Sequence, residues 1–173
     1  SAGYLSDARL LALNSYENRV YQVGIEDNLP LIAKFYRPER WSEEQILEEH
    51  RFSLELQDAE ISVVAPIVNS QGTTLHTFEG FQFALFARRG GYPPELDNLD
   101  NMLVLGRTLG RIHAVGRAGQ FQVRHSMSVQ RMLSDSRQML LEHFIPRDLV
   151  PAYESLTADL EQQVKSVFSD VQP

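Results

Sequence analysis

The chain has 173 residues, 43% of them hydrophobic, which is enough to bury the core of one domain or of two small lobes. Its 16 Lys and Arg residues against 23 Asp and Glu residues give a net charge of -7, which disfavours nucleic acid as a partner. Cys is absent and no apolar run approaches the roughly 18 residues of a membrane span, so we expect a cytoplasmic protein without disulfides, thiolate metal sites or a membrane partner.

The first elements predicted along the chain are three β-strands. Residues 10–37 alternate between apolar and polar side chains, as half-buried strands do. Segments 18–23 and 31–36 have the strongest strand character, and residues 26–28 between them have turn chemistry. The pattern predicts an antiparallel meander.

A helix and further strands are predicted next. Ser42 followed by Gln45 is a capping-box signature, which predicts a helix over residues 43–57. Three later segments are rich in β-branched and aromatic residues and are strand candidates: 61–68, 73–78 and 81–86. The first half therefore predicts an α+β fold, with an antiparallel sheet of about five strands plus one helix.

The second half of the chain has a helical pattern. Residues 88–94 are rich in Gly and Pro, as linkers are, and apolar side chains then recur with a helical period. Helices are expected around Met102 to His113, over 129–144 and over 149–168. The predicted organisation is listed in chain order: an N-terminal lobe at 1–87, a hinge or linker at 88–98, and a partial helical lobe at 99–173.

Lys34 is the first candidate for chemistry. A lysine on the third strand, followed by a helix with a carboxylate near its middle, is how protein kinases hold the α- and β-phosphates of ATP. Glu48 or Glu49 can supply that carboxylate, and Glu49 is preferred because it lies in phase with Ile46 and Leu56. The alternative is a solvated strand lysine with no partner of this kind, because the pattern is short.

A second candidate is the turn at residues 14–18, which is small and polar. Such a turn can offer backbone N–H groups and a hydroxyl to phosphate oxygens. The glycine-rich pattern of nucleotide-binding loops is missing, so an ordinary polar hairpin is the alternative reading of these residues.

Three strings carry a specific resemblance: LNSYENRVYQ at 13–22, KFYRPERW at 34–41 and ILEEH at 46–50. They closely resemble the bacterial stress response kinase A family, which lies within the aminoglycoside phosphotransferase and choline kinase fold. The similarity continues in order to LGRIH at 109–113 and covers nearly the whole chain. It implies a kinase-like N-terminal lobe followed by the first helices of a C-terminal lobe.

The resemblance implies an ATP-dependent serine/threonine protein kinase that uses Mg²⁺ and acts on a protein substrate. At the phosphate end it implies that Ser15 lies in the ATP-binding loop, that Lys34 contacts phosphate and that Glu49 or Glu48 pairs with Lys34. At the adenine end it implies a hinge that contains Phe86 and Ala87. Ile32 is then expected to pack on the adenine ring.

The catalytic loop of that family, His-Gly-Asp-x-x-x-x-Asn, is not found, because no histidine of the chain is followed two residues later by Asp. The base and the magnesium ligands are therefore expected outside this sequence. We expect an inactive N-terminal fragment, or less simply a naturally short relative. The full-length protein is expected to be a monomer, whereas the fragment is expected to self-associate through an uncovered apolar face.

Two other functions share these features. The first is a small-molecule phosphotransferase acting on an aminoglycoside, choline or homoserine, because fold alone does not select the acceptor. The second is a non-catalytic nucleotide-binding module. The residues of the 13–22 and 34–41 strings resemble those of the protein kinase family, and they favour the protein kinase over these two functions.

Overall fold

The computed structural model describes residues 3–169. Residues 1–2 and 170–173, at the outer ends of the two predicted lobes, lie outside the described residues. The chain divides into two compact units, Ser1–Arg124 and His125–Pro173. Residues 88–98, the predicted linker, form coil and a short turn within the first unit.

The first unit is built on a five-stranded antiparallel sheet. Its strands are β1 (Ser6–Leu13), β2 (Arg19–Ile25), β3 (Asn28–Phe35), β4 (His76–Phe78) and β5 (Phe81–Ala87). They are ordered β1-β2-β3-β5-β4, which places β3 at the centre. Helix α1 (Glu43–Asp58) follows β3, and helix α2 (Leu99–Gly116) follows β5. The predicted α+β fold is confirmed.

Two hydrophobic clusters lie on opposite faces of this sheet, because successive residues of a strand point to opposite sides. One cluster contains Leu31, Ala33 and Leu85. The other contains Tyr36, Ala84 and Ile46, and Ile46 is a residue of α1. Helix α1 therefore covers the face of the sheet that carries Tyr36 and, two residues earlier on the same face, Lys34.

The predicted start of α1 is present in detail. The Ser42 hydroxyl accepts a hydrogen bond from the Gln45 backbone N–H, and the Gln45 side chain accepts one from the Ser42 N–H. This reciprocal cap satisfies two donors that the first turn of a helix leaves unpaired. At the other end, the Arg111 guanidinium from α2 donates to the backbone carbonyls of Ala59 and Glu60, where the α1 dipole favours a cation.

The predicted strand over 61–68 is wrong. This segment makes only an isolated bridge between Pro66 and Phe86, although Ile61 and Ala65 are buried. Proline has no N–H to donate to a ladder, so the segment packs beside β5 without joining the sheet. The strand predicted over 73–78 is shorter than expected and is limited to β4. The side-chain Oδ1 atom of Asn69 accepts a hydrogen bond from the Thr73 N–H, which holds Thr73 in a turn.

The second unit contains a π-helical turn (Gln130–Ser134), helix α3 (Asp135–His143) and helix α4 (Val150–Phe168). The predicted helix over 129–144 is therefore helical at the expected positions, but its first turn is π-helical and the rest is α-helical. The Arg137 Nε atom donates to the Thr157 hydroxyl at 2.7 Å and the Ser134 hydroxyl donates to Glu161 at 2.6 Å, which joins the helices of this unit. Within residues 3–169, no helix combines the length and the hydrophobicity that crossing a bilayer requires.

Candidate functional site

The site is centred on Lys34, near the end of the central strand β3. Backbone pairing places Lys34 between Val20 of β2 and Ala84 of β5. Its side chain is 23% exposed, and its Nζ atom lies 3.1 Å from Oε1 of Glu49. The same ammonium lies 4.7 Å from the centre of the Tyr36 ring, within the range of a cation–π contact. The lysine stem is thus held from two sides.

Glu49 is shared between two cations. Its Oε1 atom accepts from Lys34, and its Oε2 atom accepts from the Arg124 guanidinium at 2.9 Å. Burial raises the pKa of Glu49, but the charges and hydrogen bonds of Lys34 and Arg124 outweigh burial and lower the pKa below its ordinary value. Glu49 is therefore ionised at neutral pH and forms the middle of a Lys–Glu–Arg chain.

Glu48, the other candidate partner of Lys34, is directed elsewhere. Its side chain is 3% exposed and accepts hydrogen bonds from the backbone N–H groups of three consecutive residues, at 2.5, 3.1 and 2.7 Å: Gln122, Val123 and Arg124. Burial raises the pKa of Glu48, whereas these backbone hydrogen bonds and the nearby Arg51 lower it, and the net pKa is below the ordinary value. The two adjacent glutamates thus have different partners, and Glu49 is the one that contacts Lys34.

Behind the lysine lies a buried polar chain. The Tyr36 Oη atom is 2.7 Å from Nε2 of His50, and Nδ1 of His50 is 2.8 Å from the Thr74 hydroxyl. Burial lowers the pKa of His50 to about 4 and raises that of Tyr36, so both side chains are neutral at pH 7. Both ring nitrogens of His50 have partners, which fixes α1 against β3.

Ser15 lies in the exposed turn between β1 and β2. Leu13 pairs with Val20, and Val20 pairs with Lys34, so the turn extends from the end of the sheet where Lys34 lies. Glu17 forms an ion pair with Arg40, which ties the turn to the segment after β3. The structure therefore places a small polar turn near the lysine, but its role toward a nucleotide stays a prediction.

The predicted adenine-side residues lie on β3 and β5. Ile32 pairs directly with Phe86, and both share the face of Lys34 by strand alternation. The Phe86 ring packs against the α1-side core and lies edge-on to His50 at 6.4 Å. Ala87 ends β5 just before the coil of residues 88–98. These positions suit a hinge, and the contacts with adenine stay predictions.

Two features of the site were missed by sequence reasoning. Arg124 lies 75 residues from Glu49, and no local pattern marks it as a partner. Its guanidinium also stacks over the Trp41 ring, with a 4.4 Å separation. Tyr36 could have been found, because it lies two residues after Lys34 and so on the same face of β3.

The candidate site does not contain a cluster of metal-ligating side chains among the described residues. Among the residues that the structure describes, no group of three or more His, Asp or Glu side chains is placed to hold a metal ion. The expectation that the magnesium ligands lie outside the sequence stays a prediction. Lys34 and the turn that contains Ser15 stay the predicted phosphate contacts.

A sheet whose central strand presents a lysine to a glutamate on the next helix is the nucleotide-binding architecture of kinase-like phosphotransferases. The model of the phosphotransferase enzyme family matches residues 9–172, and the chain belongs to that family. In fold it is similar to the amicoumacin kinase hAmiN, solved in complex with AMP-PNP, Ca²⁺ and Ami, with a TM-score of 0.74 and 20% identity over 98% of this chain and 51% of that one. It is also similar to a microcompartment-associated aminopropanol kinase, with a TM-score of 0.59 and 21% identity over 79% of this chain and 49% of that one.

Curated relatives are more similar in sequence. The chain is 43% identical to stress response kinase A of Escherichia coli (strain K12) over 91% of this chain and 48% of the relative. It is 46% identical to the serine/threonine protein kinase RdoA of Salmonella typhimurium over 79% of this chain and 42% of the relative. The chain therefore spans about half the length of the curated relatives that it matches.

Proposed function

We propose that this chain is the nucleotide-binding half of a cytoplasmic, ATP-dependent protein kinase that transfers the γ-phosphate of ATP to serine or threonine hydroxyls of proteins. The observation that carries the proposal is the placement of Lys34 on the central strand, partly exposed and held 3.1 Å from Glu49. The protein acceptor is supported by the 43% identity to stress response kinase A.

The residues of the site fit the phosphates of ATP. The Lys34 ammonium is partly exposed and already fixed by a carboxylate and an aromatic ring. Its side chain therefore loses little further conformational entropy when it contacts a phosphate. Lys34 would contact the α- and β-phosphates, and the backbone N–H groups and hydroxyl of the Ser15 turn would close over the phosphate chain. Bound ATP would supply the transferable γ-phosphoryl group.

The adenine would bind beside β3 and the end of β5. Ile32 and Phe86 would supply the apolar surface for the ring, and the backbone at Ala87 would meet the polar edge of the base. Glu49 would hold Lys34 in place instead of reacting. In this arrangement the residues of the chain bind and orient the nucleotide, and no general base is assigned among them.

Turnover needs residues beyond this set. The base and the Mg²⁺ ligands of the protein are expected outside the chain, because the His-Gly-Asp-x-x-x-x-Asn loop of the family is not found in its sequence. We therefore expect residues 1–173 to bind ATP and to transfer no phosphate. Labelled phosphate from ATP appearing above background, on the chain or on an added protein, would contradict this expectation.

A small-molecule acceptor is the second candidate function. It is favoured by the names of the solved structures with the same fold, an amicoumacin kinase and an aminopropanol kinase. At 20% and 21% identity these likenesses carry the fold alone, whereas the relatives at 43% and 46% identity are named as stress response and serine/threonine protein kinases. The protein acceptor is therefore the better supported choice.

The binding claim is tested by calorimetric titration of the chain with ATP and with adenosine. Lys34→Ala should weaken ATP binding by roughly 10- to 100-fold, because it removes a charged hydrogen bond to phosphate. Adenosine, which has no phosphate, should bind both proteins alike. The matched control is Lys165→Ala, which removes the other lysine of the chain from the exposed end of α4.

Lys165→Ala should leave both affinities unchanged. Equal ATP affinities of the Lys34→Ala and Lys165→Ala variants would remove Lys34 from the phosphate site.

A further inference from the structure

The segment that follows α2, residues 117–124, lies along α1. We call it the post-α2 loop. It contacts α1 through three kinds of interaction. The Gln45 side chain of α1 donates to the Val123 carbonyl of the loop at 3.0 Å, and the Phe121 ring of the loop packs edge-on to Phe52 at 5.3 Å. The backbone N–H groups of the loop donate to the Glu48 carboxylate. All of these contacts join segments that are about 70 or more residues apart in sequence. The loop is therefore docked by tertiary contacts, not by local structure.

Glu48 is the main anchor of the docked loop. A carboxylate that is 3% exposed needs partners for its oxygens, because an unpaired buried charge is strongly destabilising. Here three consecutive backbone N–H groups, ending at Arg124, supply most of those partners. Arg51 approaches the same carboxylate at 3.3 Å from a more exposed position. The anchor fixes the backbone of Arg124 directly.

Arg124 carries the effect of docking to the site. Its guanidinium donates to Oε2 of Glu49 at 2.9 Å and stacks on Trp41 at 4.4 Å, so the side chain is held on two sides. Glu49 is 33% exposed and would otherwise be free to turn its carboxylate toward water. With Arg124 on one oxygen and Lys34 on the other, the carboxylate has one orientation.

We propose that Arg124 is a positioning residue for the Lys34–Glu49 pair, and that Glu48 sets Arg124 in place by docking the post-α2 loop onto α1. The inference rests on the proposed function, since it concerns the same phosphate site. Loss of Arg124 leaves Lys34 with a mobile partner, so the ammonium is held less firmly in the position that meets an incoming phosphate. This weakens phosphate binding, and it acts through Lys34 and not through Arg124 itself.

A double-mutant cycle tests this role. ATP and adenosine affinities are measured by calorimetry for the chain and for Arg124→Gln, Lys34→Ala and the double variant, with circular dichroism as the check of folding. Arg124→Gln should weaken ATP binding about fivefold in the unmutated background and leave ATP affinity unchanged in the Lys34→Ala background, because coupled residues are not additive. Adenosine affinity should not change.

The control and the conservative variant sharpen the cycle. Arg51→Gln removes the same charge from the exposed side of Glu48 and should leave ATP affinity unchanged, because exposed ion pairs contribute little. Arg124→Lys keeps the charge but loses the planar fork, and should lose less affinity than Arg124→Gln.

The docking step has its own readout in Trp41, the single tryptophan of the chain, which lies under Arg124. Glu48→Gln should release the loop, shift Trp41 emission to longer wavelength and weaken ATP binding as much as Arg124→Gln does. Unchanged emission and unchanged ATP affinity in a folded Glu48→Gln protein would overturn the role of Glu48.

The remaining outcomes distinguish failure of the positioning role of Arg124 from failure of the proposed ATP-binding function. ATP binding that is weakened by Lys34→Ala but not by Arg124→Gln overturns the positioning role and leaves the proposed function intact. Losses from Arg124→Gln and Lys34→Ala that multiply in the double variant mean that Arg124 contacts phosphate itself, which also overturns positioning. An unmutated chain that binds neither ATP nor adenosine removes the proposed function and the inference together.

Discussion

Helices α1 and α4 are of similar length, 16 and 19 residues, but they use their side chains in opposite ways. Helix α1 buries two apolar residues, Ile46 and Leu56, together with the polar Glu48 and His50. Helix α4 buries Thr157, while its large apolar residues Leu156 and Leu160 are exposed. An apolar pattern of helical period therefore identifies which face of a helix is apolar. It does not tell whether other described residues bury that face.

The difference has a functional meaning. Each buried polar residue of α1 is satisfied by a partner from another element: Glu48 by the post-α2 loop and His50 by Tyr36 and Thr74. Such fully satisfied polar contacts fix one arrangement of a helix, whereas apolar contacts tolerate several. The helix that carries Glu49 is thus held in one position against the strand that carries Lys34.

The largest effect that would sharpen this comparison is on stability. Ile46 is 1% exposed, so Ile46→Ala should lower the free energy of unfolding by about 3 kcal/mol through lost burial and a cavity. Leu160 is 47% exposed, so Leu160→Ala in α4 should cost less than about 1 kcal/mol. Denaturant unfolding followed by Trp41 fluorescence and by circular dichroism measures both changes. Equal losses would mean that α4 is as tightly packed as α1.

Much of the first unit could be predicted from the sequence, because the patterns that define it are local. The capping box at Ser42 and Gln45 located the start of α1 at Glu43, and the predicted end at residue 57 is one residue short of the observed end at Asp58. Strand alternation located β3 and therefore the face of Lys34. The choice of Glu49 over Glu48 followed from helical phase, and the structure places Glu49 beside the lysine.

The rest depended on contacts between distant segments. The Arg124–Glu49 pair joins residues 75 apart in sequence, and no periodicity reports such a contact. Burial of Glu48 ran against the usual preference of glutamate for water, and it is explained by three backbone donors from a distant segment together with Arg51. The segment at 61–68 had strand composition, but Pro66 prevents regular pairing with β5.

The next effect in size is the response of stability to pH. Burial holds the pKa of folded His50 at about 4, against an ordinary value of 6.5, so between these values the unfolded chain binds a proton that the folded chain does not. The free energy of unfolding should therefore fall as the pH drops, by roughly 2 kcal/mol between about pH 7 and about pH 5. Burial also lowers the pKa of His76, which adds to the loss in the same direction.

His50→Gln removes this titrating group while keeping a polar side chain between Tyr36 and Thr74. Its stability should be lower at pH 7 but should depend less steeply on pH than that of the unmutated chain. Equal slopes in denaturant unfolding across this pH range would show that His50 is not held neutral by burial.

The smallest effect concerns the exposed side of α4. Its uncovered apolar residues predict self-association of the chain, which light scattering over a range of protein concentrations detects as a rising mean mass. Leu156→Glu combined with Leu160→Glu should reduce this rise by placing charges on the same face. A clean monomer at high concentration in the unmutated chain would contradict the prediction.

The most direct test of the central claim observes the Lys34 amine itself. Lys34 and Lys165 are the lysines of the chain, so reductive methylation with ¹³C-formaldehyde gives lysine methyl signals that the Lys34→Ala and Lys165→Ala variants assign. Addition of ATP should shift the Lys34 signal and leave that of Lys165 in place, and adenosine should shift neither. A Lys34 signal that does not move at saturating ATP would contradict the account.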